Sequence, residues 1–183
     1  MYDLSKLIFN IYHKKFYIRR LKLKDINNDY LSWFSETNSN YIESRATMKN
    51  KDNLIKYFKK QNLNTNVVFL GVFSKFEHEH IGNIKFEFTK NQKISTFGIF
   101  IGNKKFTGKG YGKIIINICC SYIKEKIGVV NFCLGVHKEN TYALRLYRKI
   151  GFKIISKNFS AKTYLMKKVY NWSSEQKKGF FIP

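Results

Sequence analysis

The chain has 183 residues, 44% of them hydrophobic, enough for one domain with a full core and short for two. Its 34 Lys and Arg against 12 Asp and Glu leave a formal net charge of +22, a balance that ordinarily points to a nucleic-acid partner. No apolar run reaches the roughly 18 residues of a membrane span, and the start, MYDLSKLIFNIYHKK, lacks the apolar block and cleavage site of a secretory signal. A single cytoplasmic domain over residues 1–183 is therefore expected.

Residues 1–15 read as an N-terminal extension, and FYIRRLKL, residues 16–23, as the first strand. Asp25 is expected to cap a helix running through DYLSWF. YIESRATM follows a polar bend, and a lysine-rich helix lies near Asp52–Gln61. VVFLGVF is a strand, SKFEHEH a polar turn holding His78 and His80, and IGNIKFEF a half-buried strand. In that last strand Gly82, Ile84, Phe86 and Phe88 share one face and Asn83, Lys85 and Glu87 the other. KISTFGIFIG is a further strand. A helix then carries Tyr111, Ile114, Ile115, Ile118 and Tyr122 at helical spacing. VVNFCLGV is a strand, Asn140–Ile150 a helix, FKIIS with TYLMKKVY an antiparallel pair, and 170–183 a tail. Cys119, Cys120 and Cys133 lack metal-ligand spacing and read as reduced core residues, and no metal is expected.

Three of the 11 glycines fall within five positions, in TGKGYGK, directly before the apolar helix. A helix start exposes unpaired N–H groups and a positive dipole end, and glycines there let an anion approach the amides. The spacing fits neither the nucleoside-triphosphate loop, which would want glycine at Thr107, nor the dinucleotide fingerprint, which would want it at Lys113. A tight turn before a helix would use the same residues. The lysine excess is scattered, and AT-rich coding DNA would also produce it, so a basic nucleic-acid-binding protein stays only as an alternative.

The second half of the pattern is KENTYALRLYRKIGFK, with Asn140, Tyr147, Lys149, Gly151 and Phe152 in register. Together with FGIFIG and the glycine loop, it resembles the GNAT superfamily of acyl-CoA N-acyltransferases. IRRLKLKD and IGNIKF are similar to the branch holding ribosomal-protein alanine acetyltransferases and nucleotide-sugar N-acetyltransferases. The resemblance implies an α/β (α+β) fold with a central mixed, twisted, mostly antiparallel sheet of about seven strands, flanked by helices on both sides. It also implies acetyl-CoA as co-substrate. Gly108, Lys109, Gly110, Tyr111, Gly112 and Lys113 would hold the pyrophosphate through their amides. Ile99, Phe100 and Ile101, at a bulge, would meet the pantetheine arm, and Asn140 would contact the coenzyme where the strands splay. Thr107 departs from the family's Gln or Arg. Lys104, Lys105 and Lys109 are candidates for the ribose phosphate, or solvated lysines.

Amide formation needs a neutral amine, a stabilised oxyanion and an acid for the leaving thiolate. Tyr147 stands where the family places that acid. Thr96 and Phe97 replace the carboxylate that many relatives use as base, so Glu87 is the first substitute and His137 the second. Trp33 and Tyr41 are candidates to stack on an acceptor and Arg45 to clamp its phosphate or carboxylate; the alternative is that Trp33 packs in the core and Arg45 pairs with Glu43 or another surface acid. The acceptor implied is an amino-sugar nucleotide, with a protein amine of the ribosomal type as alternative, and the chain is a possible homo-oligomer.

Overall fold

The structure, a computed structural model, describes residues 2–35, 41 and 48–170. Eight strands form one sheet in the order β1-β2-β3-β4-β5-β6-β8-β7. They are β1 (Asn10–Tyr12), β2 (Phe16–Arg20), β3 (Val67–Ser74), β4 (His80–Phe88), β5 (Ile94–Ile101), β6 (Asn131–His137), β7 (Lys153–Ser160) and β8 (Thr163–Val169). Every neighbouring pair is antiparallel except β5 and β6, which run parallel.

The strand beyond the seven expected is β1, inside the segment read as an extension. Its three residues are too few to show an alternation, yet Leu4, Leu7, Phe9 and Ile11 are all buried. The Arg20 guanidinium donates to the Leu4 and Leu7 carbonyls and lies over the Phe9 ring, tying the segment to β2.

Helices cover both faces. On one, α3 (Tyr111–Ile127) and α4 (Thr141–Lys149) pack Ile115, Ile116, Cys119, Ile123, Leu144 and Tyr147 against Val68, Leu70, Ile84 and Phe86. The deep line of α3 is broader than the expected stripe, since Tyr111, Ile114 and Tyr122 are only partly buried at its margins. On the other face, α1 (Asn28–Ser32) and α2 (Lys51–Leu63) cover Phe69 and Phe73 with Tyr30, Leu54 and Phe58. Asn50 caps α2 by accepting from the amides of Asp52 and Asn53 at 2.8 and 3.2 Å, and the lysines of α2 turn outward.

Asp25 is not the cap of α1. Asn27 takes that place, accepting from Tyr30 N–H at 2.9 Å. Asp25 instead holds Arg19 in a two-pronged pair at 2.7 and 2.8 Å and accepts from Lys22 N–H. Desolvation pushes its carboxyl up, but Arg19 and the Lys22 amide outweigh it and hold the acid below its ordinary value. No helix among the described residues is long and apolar enough to cross a membrane.

Candidate active site

The site begins where β5 and β6 part. They pair only at Ile94–Asn131, Ser95–Phe132 and Thr96–Cys133. Beyond Thr96 the edge of β5 that faces β6 carries no ladder, while β4 stays paired to it as far as Ile101. Unpaired N–H and C=O groups in a cleft are hydrogen-bonding sites for a bound chain. The expected bulge at Ile99–Ile101 is absent, because the β4–β5 register runs without a shift from Gly82–Ile101 to Phe88–Ser95. The splay exposes a whole segment of backbone, where a bulge would expose one residue.

The glycine loop stands just beyond the C-terminal end of β5. Asn103 caps a short turn over Lys104–Phe106, and Gly108 and Gly110 then take φ of +75° and +80°. Gly110 is the N-cap of α3 and offers no side chain to its first amides, so these face outward to an anion. A Cβ at either glycine would meet nothing within 4 Å, so the left-handed backbone and not crowding demands glycine there. Gly112 takes an ordinary φ, and a Cβ there would make only an ordinary contact, 3.4 Å from Leu146 of α4. Tyr111 turns its ring onto Phe16 and Phe106, leaving only its amide for the loop. Lys105, exposed, pairs with Glu79 at 2.5 Å. Lys109 and Lys113 lie in the loop and the first turn of α3.

Tyr147 on α4 is one residue from the Leu146 that packs on Gly112. Its ring lies 6.2 Å from that of Phe152, which in turn lies 5.6 Å from Phe97 at the start of the splay. The ring is thereby held by its packing on Phe152, which links it to Phe97. Burial pushes the Tyr147 phenol up to about 12, so it is protonated throughout the neutral range. Full proton transfer from such a phenol to a thiolate whose acid lies near 8.5 would cost about 5 kcal/mol, so the hydroxyl is better suited to donating a hydrogen bond than to giving up its proton. Asn140 caps α4 by accepting from Ala143 N–H at 3.0 Å, which fixes the turn leaving β6.

The opposite face of β4 and β5 carries a slot of about 180 Å³ under α1 and α2. Asn83, Lys85, Gly98 and Phe100 line it from the sheet, and Tyr30 and Tyr57 from the helices. Ile99 and Phe100 thus belong to both the open edge and the slot wall. Glu87 lies two residue pairs beyond, exposed and directly across from Thr96. His137 ends β6, where its Nδ1 accepts from Glu139 N–H at 3.3 Å.

Trp33 is not a stacking platform. It is buried against Tyr30, His80 and Phe100, with centroids at 4.9, 4.8 and 6.0 Å. Tyr41 lies 5.1 Å from the ring of His137, at the exit of β6. Arg45 lies outside the described residues. His80 is likewise no turn residue: it opens β4 between Phe73 and Trp33, and burial brings its ring down to about 4. A larger cleft of about 750 Å³ adjoins it and is lined by four carboxylates: Asp25 and Glu79 are paired with Arg19 and Lys105, Glu77 accepts from the Ser74 hydroxyl, and Asp29 completes the set. Sequence reasoning missed Lys85 as a slot residue; its place on the polar face of β4 was the available signal.

The Acetyltransferase (GNAT) domain model matches residues 15–153. A spermidine N(1)-acetyltransferase of Thermoplasma acidophilum is 26% identical over 165 residues, 84% of this chain and 96% of that protein. A chimera of the Vibrio cholerae spermidine N-acetyltransferase superposes with a TM-score of 0.72 at 20% identity, over 84% of this chain and 95% of its own. A ribosomal L7/L12 α-N-protein acetyltransferase in complex with coenzyme A gives 0.76 at 10% identity, over 89% and 98%. The chain belongs to the GNAT acetyltransferase family and is an acetyl-CoA-dependent N-acetyltransferase.

Proposed function

We propose that the chain acetylates the primary amine of a small acceptor bound in the β4–β5 slot, by direct attack on acetyl-CoA held in the splay. One observation carries this reading: β5 is open at its edge toward β6 and lined by the slot on its face, over the same residues, Gly98–Phe100. A thioester laid along that edge meets an amine from that face without either partner crossing the sheet.

In this arrangement the pyrophosphate rests on the amides of Gly108–Lys113, and the pantetheine arm runs along Phe97–Ile101. An N–H of the open edge polarises the thioester carbonyl and stabilises the oxyanion. Tyr147 donates to the departing sulfur. Glu87, across from Thr96, receives the amine proton through water. Asn140 serves the site by holding the β6–α4 turn.

The amino-sugar nucleotide expected from sequence has less in its favour than a smaller amine. The slot is below the roughly 300 Å³ at which pockets for larger ligands begin, and the relatives named above act on spermidine or a protein amine. The test is amine-dependent release of the coenzyme A thiol, measured with small amines, spermidine, an N-terminal peptide and an amino-sugar nucleotide. Release with small amines supports the reading. Release with the peptide or the nucleotide sugar alone overturns it.

A further inference from the structure

Among the described residues, Lys85 is a cation without a counter-charge in the wall of the slot. Its half-buried side chain reaches over β4 to α2, where Nζ donates to Tyr57 Oη at 3.2 Å and Gln61 Oε1 at 3.4 Å. These acceptors stand at i and i+4 on α2, so one helical face holds the ammonium in place. Both are neutral. Lys85 has no ion pair among the described residues, and the described lining of the slot contains no carboxylate. The nearest acid in the strand, Glu87, is exposed and does not line the slot.

An ammonium has three donors, and two are used here. Directly across the strand pair stands Gly98, whose missing side chain leaves open space beside Lys85: a Cβ there would meet nothing within 4 Å. Ile99 and Phe100, on the edge where the thioester would lie, are the next residues along β5. We infer that Lys85 is a specificity-determining residue that receives an anionic group of the acceptor, so that the preferred substrates are small primary amines bearing a carboxylate or a phosphate. This rests on the proposed transfer in the same slot. Charge-assisted pairing with the third donor would orient the acceptor with its anion over Gly98 and its amine toward the splay. A polyamine would meet the reverse: its ammonium groups would enter beside a fixed like charge, with no carboxylate in the described wall to receive them.

Matched amines test this. β-Alanine is compared with propylamine, phosphoethanolamine with ethanolamine, and spermidine is run alongside, in the intact enzyme and in Lys85→Met and Lys85→Arg. The acid-bearing member of at least one pair should exceed its neutral partner about 10- to 100-fold in kcat/KM, the worth of a charged hydrogen bond. Whichever pair shows it separates carboxylate from phosphate. Lys85→Met should bring that ratio close to one by raising the KM of the acid-bearing amine, while coenzyme A titration shows an intact thioester site. Lys85→Arg should keep the preference. A preference for propylamine, ethanolamine or spermidine, or a ratio that survives in Lys85→Met, overturns the inference and leaves acetyl transfer standing. No turnover of any amine by an enzyme that binds acetyl-CoA removes the transfer reading itself.

Discussion

The indole of Trp33 lies against the backbone of Gly102, so closely that a methyl on the glycine would stand 2.0 Å from Cδ2 and Cε3. Gly102 joins β5 to the loop at the mouth of the splay, and Trp33 directly follows α1 in the layer that roofs the slot. The contact therefore couples the acceptor side of the sheet to the coenzyme side. Gly102→Ala should lower stability by about 1–3 kcal/mol, because neither a rigid indole nor a strand end can give way. Chemical denaturation measures it, and an unchanged midpoint would mean that the indole moves freely.

Tyr147→Phe removes one hydroxyl from a buried ring and leaves its packing on Phe152 in place. Coenzyme A affinity should persist while kcat falls about 100-fold or more. With the phenol raised to about 12, the loss should be a constant factor between about pH 7 and pH 10. An unchanged kcat across that span would make Tyr147 a packing residue.

Gly110→Val separates backbone from crowding. A side chain there meets no protein atom, but φ of +80° costs a β-branched residue about 1–2 kcal/mol. Coenzyme A affinity should fall at least about 10-fold, since the new side chain stands among the amides that face the phosphates. Gly112→Ala, at ordinary φ and in ordinary contact with Leu146, should spare the amides and leave coenzyme A affinity nearly unchanged. Calorimetric titration of both variants distinguishes the two roles.

His80 makes stability fall in mild acid. Its ring, ordinarily at 6.5, is brought down to about 4, chiefly by desolvation, against the opposing pull of Asn83 and Asp25. The unfolded chain takes up a proton below about pH 6.5 that the folded chain refuses until about pH 4, so stability drains over that window as pH falls. The full loss is about 3 kcal/mol at 1.36 kcal/mol for each pH unit. Asp25, held below 3.8, adds a loss only further down. Urea midpoints from pH 7 to pH 4 should show the slope, and His80→Gln should flatten it.

The parts of this site that were legible in the sequence are those fixed by local chemistry. Glycine before an apolar helix foretold the uncapped start of α3, and Asn140 to Gly151 foretold the helix that carries Tyr147. Asn83, Lys85 and Glu87 were correctly grouped on one face by alternation. What alternation does not contain is the element that crosses above: α2 makes Lys85 a wall of the slot while Glu87 stays exposed. Core packing of Trp33 was an open alternative in YLSWF, but the pattern does not say that its partner is Gly102. Asp25 passed as a cap because its partner, Arg19, is a tertiary one. The splay was expected from the resemblance at Asn140, but the bulge expected beside it is absent; strand divergence depends on which neighbour each strand keeps, and β6 keeps β8 along its whole length.

The central claim is that coenzyme A lies along the open edge of β5 with its pyrophosphate on the glycine loop. Titrating coenzyme A into the ¹⁵N-labelled protein and following backbone amide shifts tests it most directly. The account predicts saturable shifts at Gly108–Lys113 and at Gly98–Ile101, with β1 and β7 unmoved. Binding that shifts other amides and spares the glycine loop, or no saturable shift anywhere, would contradict it.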